Sequence, residues 1–145
     1  MQAAPNADEF NPIVYEIVKQ IPSGNVVAYG QIAAMIPPSE DVDDEQHARY
    51  GAQWVGAAMN ASPDGVPWQR VINSKGEISL PDPTGTRQRK LLEDEGVKFD
   101  GKGRISWDVY GWDGPDETWL HEHGLNPLPS LKKKKPDVPE QPKLF

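Results

Sequence analysis

The chain has no cysteine among its 145 residues. That absence excludes disulfides, thiolate metal sites and any reaction that needs a thiolate nucleophile, and it fits a reducing compartment. Long apolar runs are missing too. None approaches the roughly 20 residues that span a bilayer, and the N-terminus lacks the basic and apolar regions of a signal peptide, so an intracellular chain with no membrane partner is expected. Positive charge is in short supply: 15 Lys and Arg face 22 Asp and Glu, for a formal net charge of -7. Nonspecific nucleic-acid binding depends mainly on neutralising phosphates, so this balance argues against it. Hydrophobic residues make up 37% and mean hydropathy is -0.67, which suits one domain with a real core and a solvated remainder.

Hydrophobic periodicity places the elements. Phe10, Ile13, Val14, Ile17, Val18 and Ile21 recur at helical spacing, so a first helix is expected from about Asn11 to Ile21 with Pro12 in its first turn. Pro22-Ser23-Gly24 ends it. Val26 and Val27 form a short extended piece, and Tyr29 to Ile36 reads as a second helix closed by Pro37-Pro38. The acidic block Glu40 to Glu45 leads into a third helix, about Glu45 to Asn60, which Asp43 or Asp44 can cap. Gly51, Ala52, Gly56, Ala57 and Ala58 keep much of its surface small, so its backbone can approach a neighbour closely.

Trp68 to Ile72 and Glu77 to Leu80, around Asn73-Ser74-Lys75-Gly76, read as a β-hairpin. A last helix, about Thr86 to Glu95, buries Leu91 and Leu92 and stops at Gly96. Three helices followed by a hairpin is the order of a winged helix-turn-helix, mainly α with a small β-hairpin. Residues 8–112 form the expected domain. Beyond Trp112 prolines and charges dominate, so residues 113–145 read as a Pro- and charge-rich, mostly disordered C-terminal tail in which Trp119 and Leu120 can dock locally.

Three strings carry chemistry. Val27-Ala28-Tyr29-Gly30-Gln31-Ile32-Ala33 sets a tyrosine at a helix N-terminus, where N–H groups and a phenol can both donate to one phosphate. Taken alone, a tyrosine packed in the core is the commoner outcome. Gln53-Trp54-Val55-Gly56-Ala57-Ala58-Met59 lies on the third helix, and Val66-Pro67-Trp68-Gln69-Arg70-Val71-Ile72-Asn73-Ser74 opens the hairpin.

In this order the strings resemble the O6-alkylguanine-DNA alkyltransferase family, whose active-site segment reads Pro-Cys-His-Arg-Val and whose recognition helix reads Arg-x-Val-Gly-x-Ala-Met. Trp68 fills the cysteine place and Gln69 the histidine place, the pattern of the non-catalytic, alkyltransferase-like branch. An indole has no lone pair comparable to that of a thiolate and Gln69 cannot accept a proton, so no enzymatic activity is expected. The resemblance runs from about Phe10 to Trp112, where Asp108-Val109-Tyr110-Gly111-Trp112 looks like the family's closing segment.

The resemblance implies a protein that binds O6-alkylguanine in double-stranded DNA, flips the base, bends the duplex and hands the lesion to nucleotide excision repair proteins. It implies that Tyr29 presses on the phosphate backbone. Gln53 stands where the family has an arginine that fills the gap left by the base. Gly56 and Ala57 permit close approach to the groove, Met59 belongs with Gly56 to the DNA- and lesion-binding set, Pro67, Trp68 and Arg70 surround the pocket, and Ser74 contacts base or phosphate from the hairpin turn. Arg49, one helical turn before Gln53, and Lys75 are candidates for phosphate contact. The arginine that relatives place over the flipped base aligns here with Pro81. Glu95 matches the glutamate that serves the missing histidine, and reads as structural or as part of a solvated acidic face. A monomer without cofactor or metal is expected, nuclear if the source is eukaryotic.

Other readings stay open. His121-Glu122-His123 could bind a metal, although two histidines without convergent partners are usually just solvated. Lys132 to Lys135 could be a nuclear localisation signal, a DNA-binding strip or a solubilising run. A sequence-reading winged-helix regulator needs longer side chains than Gly56, Ala57 and Ala58 along the third helix. A hydrolase needs an acid or base in the pocket, for which Glu95 is the single candidate. A protein-interaction module is suggested by the net charge, by Gln53 and by the acidic block.

Overall fold

In the computed structural model, which describes residues 2–133, Phe10, Val14, Ile17 and Val18 form the buried face of helix α1, Ala7–Val18. The helix starts four residues before Asn11, so Pro12 lies inside it rather than in its first turn. Burial of Ala4 and Phe10 holds this earlier start, and the Ala7 N–H donates to the Ala4 carbonyl at 3.1 Å. Strand β1, Val27–Ala28, runs directly into α2, Tyr29–Met35. The Gln31 side chain accepts from the Ala28 N–H at 2.8 Å and satisfies one donor at this helix start. The helix ends where Ile36, extended at φ -97°, precedes Pro37, a position from which the proline ring excludes helical backbone. Asp43 caps α3, Asp44–Asn60, by accepting from the Gln46 N–H at 2.6 Å.

The pair α2 and α3 is the helix-turn-helix. A Cβ added at Gly51 would lie 2.8 Å from the Ala33 Cβ, so at this position the small residue serves helix packing rather than an external surface. Around this pair a first core gathers Val14, Ile17, Ile32, Met35, Trp54 and Val55, with Trp68 packed against its edge. A second, smaller core of Val26, Ile72, Leu92, Val97 and Ile105 lies beneath the wing.

The wing differs from the expected hairpin. Trp68–Arg70 is one 3-10 turn, and β2, Val71–Ile72, pairs in parallel with β1, Val27 opposite Val71 and Ala28 opposite Ile72. The loop after it still closes. Asn73 donates its N–H to the Glu77 carbonyl at 3.1 Å, and its side chain accepts from the Lys75 and Glu77 N–H groups. Glu77 then bridges Arg104 rather than returning along β2. Helix α4, Thr84–Asp94, ends as expected: Gly96 takes φ +96°, and the Val97 N–H reaches back to the Leu92 carbonyl at 3.0 Å. The closing segment forms the short helix α5, Trp107–Tyr110, and joins the fold where Val26 pairs with Gly111.

The expected disorder from residue 113 needs correction across the described part. Asp116 caps a further helix, α6, Glu117–His123, whose Leu120 enters the first core with Trp119, Leu125 and Leu128 packed beside it. The strand-like stretch after it runs along α2. Asn126 donates its backbone N–H to the Met35 carbonyl at 2.8 Å, and Gln31 donates to the Pro129 carbonyl at 2.7 Å. Free helix-end carbonyls and buried leucine outweigh the proline content that suggested disorder. Of the lysine run, Lys134 and Lys135 lie outside the described residues. No helix among the described residues is long and apolar enough to cross a membrane. Leu120→Ala is expected to lower unfolding stability by roughly 2–5 kcal/mol; a denaturant midpoint unchanged from the parent would mean that the segment does not dock.

Candidate nucleic-acid interface

The start of α2, the second half of α3, the turn after it and the start of α4 enclose a cleft of about 610 Å³. Tyr29, Gly56, Met59 and Trp68 line it, so four of the expected site residues come together. Tyr29 is also a core residue, 8% exposed, and the two readings of it are compatible: one part of the ring packs while another faces the cleft. Burial pushes its phenol up and a hydrogen bond with the Ser79 side chain pulls it down, leaving the pKa above its ordinary value. Trp68 is half-buried against the first core and forms a flat wall. The Arg87 guanidinium carbon stands 5.9 Å from the centroid of its ring, within cation–π range.

Arg87 is a cleft residue that the alignment at Pro81 did not indicate. It sits in the first turn of α4, on a helix read from sequence for its apolar residues alone. Leu80, Val66 and Asp64 also line the cleft without having been singled out. Their signal was present in one respect, since Leu80 ends the extended run and Asp64-Gly65 marks the turn facing Trp68.

Other expected residues stand elsewhere. Gln53, Arg49, Ser74 and Lys75 are exposed and none lines the cleft; the Ser74 carbonyl accepts from the Trp107 indole at 3.0 Å, which fixes the turn. Pro67 starts the 3-10 turn beside Trp68. Arg70 is committed to the interior. Its Nε donates to Glu95 Oε1 at 3.0 Å, one terminal nitrogen donates to Glu95 Oε2 at 3.1 Å, and the other donates to the Ile21 carbonyl at 2.7 Å. The reading of Arg70 as a pocket residue is therefore replaced by one as an interior clamp.

Glu95 is the acceptor at the centre of that clamp. Besides Arg70 it accepts from the Gly24 N–H at 3.0 Å and from Gln69 Nε2 at 2.8 Å. Its side chain is 12% exposed, so the solvated-face reading fails and the structural one holds. Burial pushes its carboxyl up, but the hydrogen bonds from Arg70, Gly24 and Gln69 and the charge of Arg70 outweigh burial and hold the pKa below the ordinary glutamate value. The other two acids at this helix end, Glu93 and Asp94, pair with Arg89 and Lys90 one turn earlier, so all three have cationic partners despite the helix dipole. His123 stacks on Trp119 at 3.9 Å between centroids and its Nδ1 is bound to the Trp119 carbonyl at 2.8 Å; no group of three or more His, Cys, Asp or Glu that could hold a metal ion occurs among the described residues.

Against known proteins, residues 9–97 match the family model "6-O-methylguanine DNA methyltransferase, DNA binding domain". The chain belongs to that family. It is 37% identical over 107 residues to the "DNA base-flipping protein" of Vibrio parahaemolyticus, covering 72% of this chain and 97% of that one. It is 40% identical over 114 residues to "Alkyltransferase-like protein 1" of Schizosaccharomyces pombe, covering 72% and 95%. Among solved structures it resembles S. pombe Atl1 in complex with damaged DNA containing O6-carboxymethylguanine, with a TM-score of 0.53 at 36% identity over 72% of this chain and 95% of that one. The winged helix-turn-helix reading and the alkyltransferase-like resemblance both stand. Segment 113–133 and its α6 lie beyond the family match.

The clamp generates a pH prediction. Because the folded-state pKa of Glu95 is depressed, its contribution is complete above the unfolded value of about 4.3 and fades as pH falls through the folded one. Glu95→Gln is expected to cost roughly 2–3 kcal/mol at pH 7, with the gap to the parent closing in acid. A gap independent of pH between 7 and 3 would show that the charge of Glu95 is not what the clamp uses.

Proposed function

We propose that the protein recognises O6-alkylguanine in duplex DNA by extruding the base into the Trp68 cleft, and that it holds the lesion without transferring the alkyl group. The observation that carries this reading is Trp68 itself. It stands in the family's acceptor place and forms the wall of a cleft at the foot of α3. An aromatic wall suits a base extruded from the stack, whose own face needs a new stacking partner. The nucleophile is absent, and Gln69, in the place of the base, donates to Glu95 instead of accepting a proton. The names of the relatives support DNA base flipping and binding to damaged DNA. In this reading Tyr29 bears on the phosphate, Gln53 fills the vacated stack, and Arg49, Ser74 and Lys75, all exposed, touch the backbone. A protein that keeps the lesion needs a successor, and hand-over to nucleotide excision repair, in the nucleus if the source is eukaryotic, completes the proposal. A monomer suffices for it.

Arg87 gives the cleft a means of preference. Alkylation at O6 removes the N1 proton of guanine, so that N1 becomes an acceptor. A guanidinium over Trp68 can donate to that edge, whereas the N1–H of unmodified guanine opposes it. The direct test compares affinity for an O6-methylguanine duplex with affinity for the matched normal duplex, followed by mass analysis of the 16.1 kDa chain. Tighter binding to the lesion with protein mass and lesion both unchanged is expected. Equal affinities, or a methylated chain, would overturn the proposal. Arg87→Ala is expected to lower lesion affinity by about tenfold, the loss of one good contact of about 1.4 kcal/mol, and to change normal-duplex binding by the smaller amount of one lost cation. Equal losses on both duplexes would assign Arg87 to phosphate.

A further inference from the structure

The net charge is not spread over the molecule. Residues 1–48 hold eight acids and one cation, Lys19, whereas residues 49–145 hold fourteen of each sign. Lys19 is itself paired with Glu16 at 3.2 Å. The whole formal charge of -7 therefore belongs to α1, the acidic loop and the first turn of α3.

A second cavity, of about 250 Å³, opens in this acidic region. Its walls are mainly apolar, from Phe10 and Ile13 of α1, Ile36 and Val42 on either side of the loop, and Trp54 of α3, with His47 beside them and Asn6, Glu9 and Ser39 as polar lining. Phe10, His47 and Trp54 hold one another edge to face, with centroids about 6 Å apart, and His47 Nε2 is bound to the Ala33 carbonyl at 2.8 Å. The walls are therefore fixed. Ile13 is 37% exposed at the mouth, which makes it one of three large hydrophobic residues left open among those described. Glu9 lines the cavity, and Glu40, Asp41, Asp43 and Asp44 flank Val42, whose burial keeps their loop on this face.

Phosphate is repelled from such a surface. The cavity also lies away from the lesion cleft, since Trp54 and Gly56, which line one each, stand two residues and about 200° apart around α3. We propose that this acidic, apolar-centred face docks a cationic segment of a partner protein. Lysines or arginines of that segment meet the acidic rim, and one aliphatic or aromatic side chain fills the cavity, while DNA occupies the other side of α3. Apolar burial provides the anchor and charge complementarity provides register and encounter rate. The proposal goes beyond the lesion-binding reading and stands without it.

Its test uses the full chain and two capped peptides, Lys-Lys-Leu-Lys-Lys and Lys-Lys-Ser-Lys-Lys, followed by nuclear magnetic resonance. The leucine peptide is expected to shift the methyl signals of Ile13, Ile36 and Val42 and to bind about tenfold tighter than the serine peptide, as burial of one leucine supports. Its binding should weaken with salt and persist when a DNA duplex is present. Ile13→Ser, a change at an exposed position, should remove most of the leucine advantage. The triple change Glu40→Gln, Asp41→Asn and Asp44→Asn, which spares the Asp43 cap, should weaken both peptides. Equal affinity for the two peptides, displacement by the duplex, shifts located elsewhere, or no binding of either peptide would each overturn the proposal.

Discussion

The carboxylate of Glu95 is the constraint on which the site depends. It draws together the turn after α1 through Gly24, the base of the wing through Gln69 and Arg70, and the end of α4 on which it sits. Arg70 extends the junction to the Ile21 carbonyl. These segments are far apart in sequence, and the second core of Val26, Ile72, Leu92 and Val97 packs beside the same junction. Trp68 lies one residue before Gln69 and Arg87 two turns before Glu95. The ion pair and this core together hold the cleft's aromatic wall and its cation in place.

The cleft that results is suited to holding. Trp68 lines it, α3 contributes Gly56, Met59 and Asn60, and the Arg87 guanidinium stands near the Trp68 ring. Gln69 is turned inward, donating to Glu95 at 2.8 Å. Shape and electrostatics can still discriminate. Under the proposed reading, the inserted base stacks on Trp68 and offers acceptors on its edge to Arg87.

Much of this was legible from residues. The stripe of α1, the Asp43 cap, the Pro37-Pro38 stop and the Gly96 turn are local signals, and each element appears where its signal lies, with α1 starting four residues early. What sequence concealed was pairing. Val71–Ile72 looked like one arm of a hairpin because a turn follows it, yet its partner is Val27–Ala28, far upstream. Arg70, expected at the pocket, faces Glu95 instead, and Arg87 lines the cleft, for the same reason: which cation faces the cleft depends on where Glu95 sits, and a sequence does not print that distance. Residues 113–133 dock against the expectation because composition describes solvation, whereas docking depends on a few residues, Leu120, Asn126 and Pro129, meeting free groups of the helix-turn-helix.

Charge divides the molecule in a way that composition conceals. Residues 1–48 carry the whole net charge of -7, whereas residues 49–145, which supply every cleft residue named except Tyr29, sum to zero, so the net charge does not prevent a DNA role for the cleft. The central claim is that the indole of Trp68 receives the extruded base. The most direct measurement is the affinity of Trp68→Ala for an O6-methylguanine duplex and for the matched normal duplex, with the fold checked by thermal unfolding. The account predicts that the two affinities become nearly equal, through weaker lesion binding of about tenfold or more, the worth of one base–aromatic stack. A variant that remains folded and keeps the full preference for the lesion would contradict it.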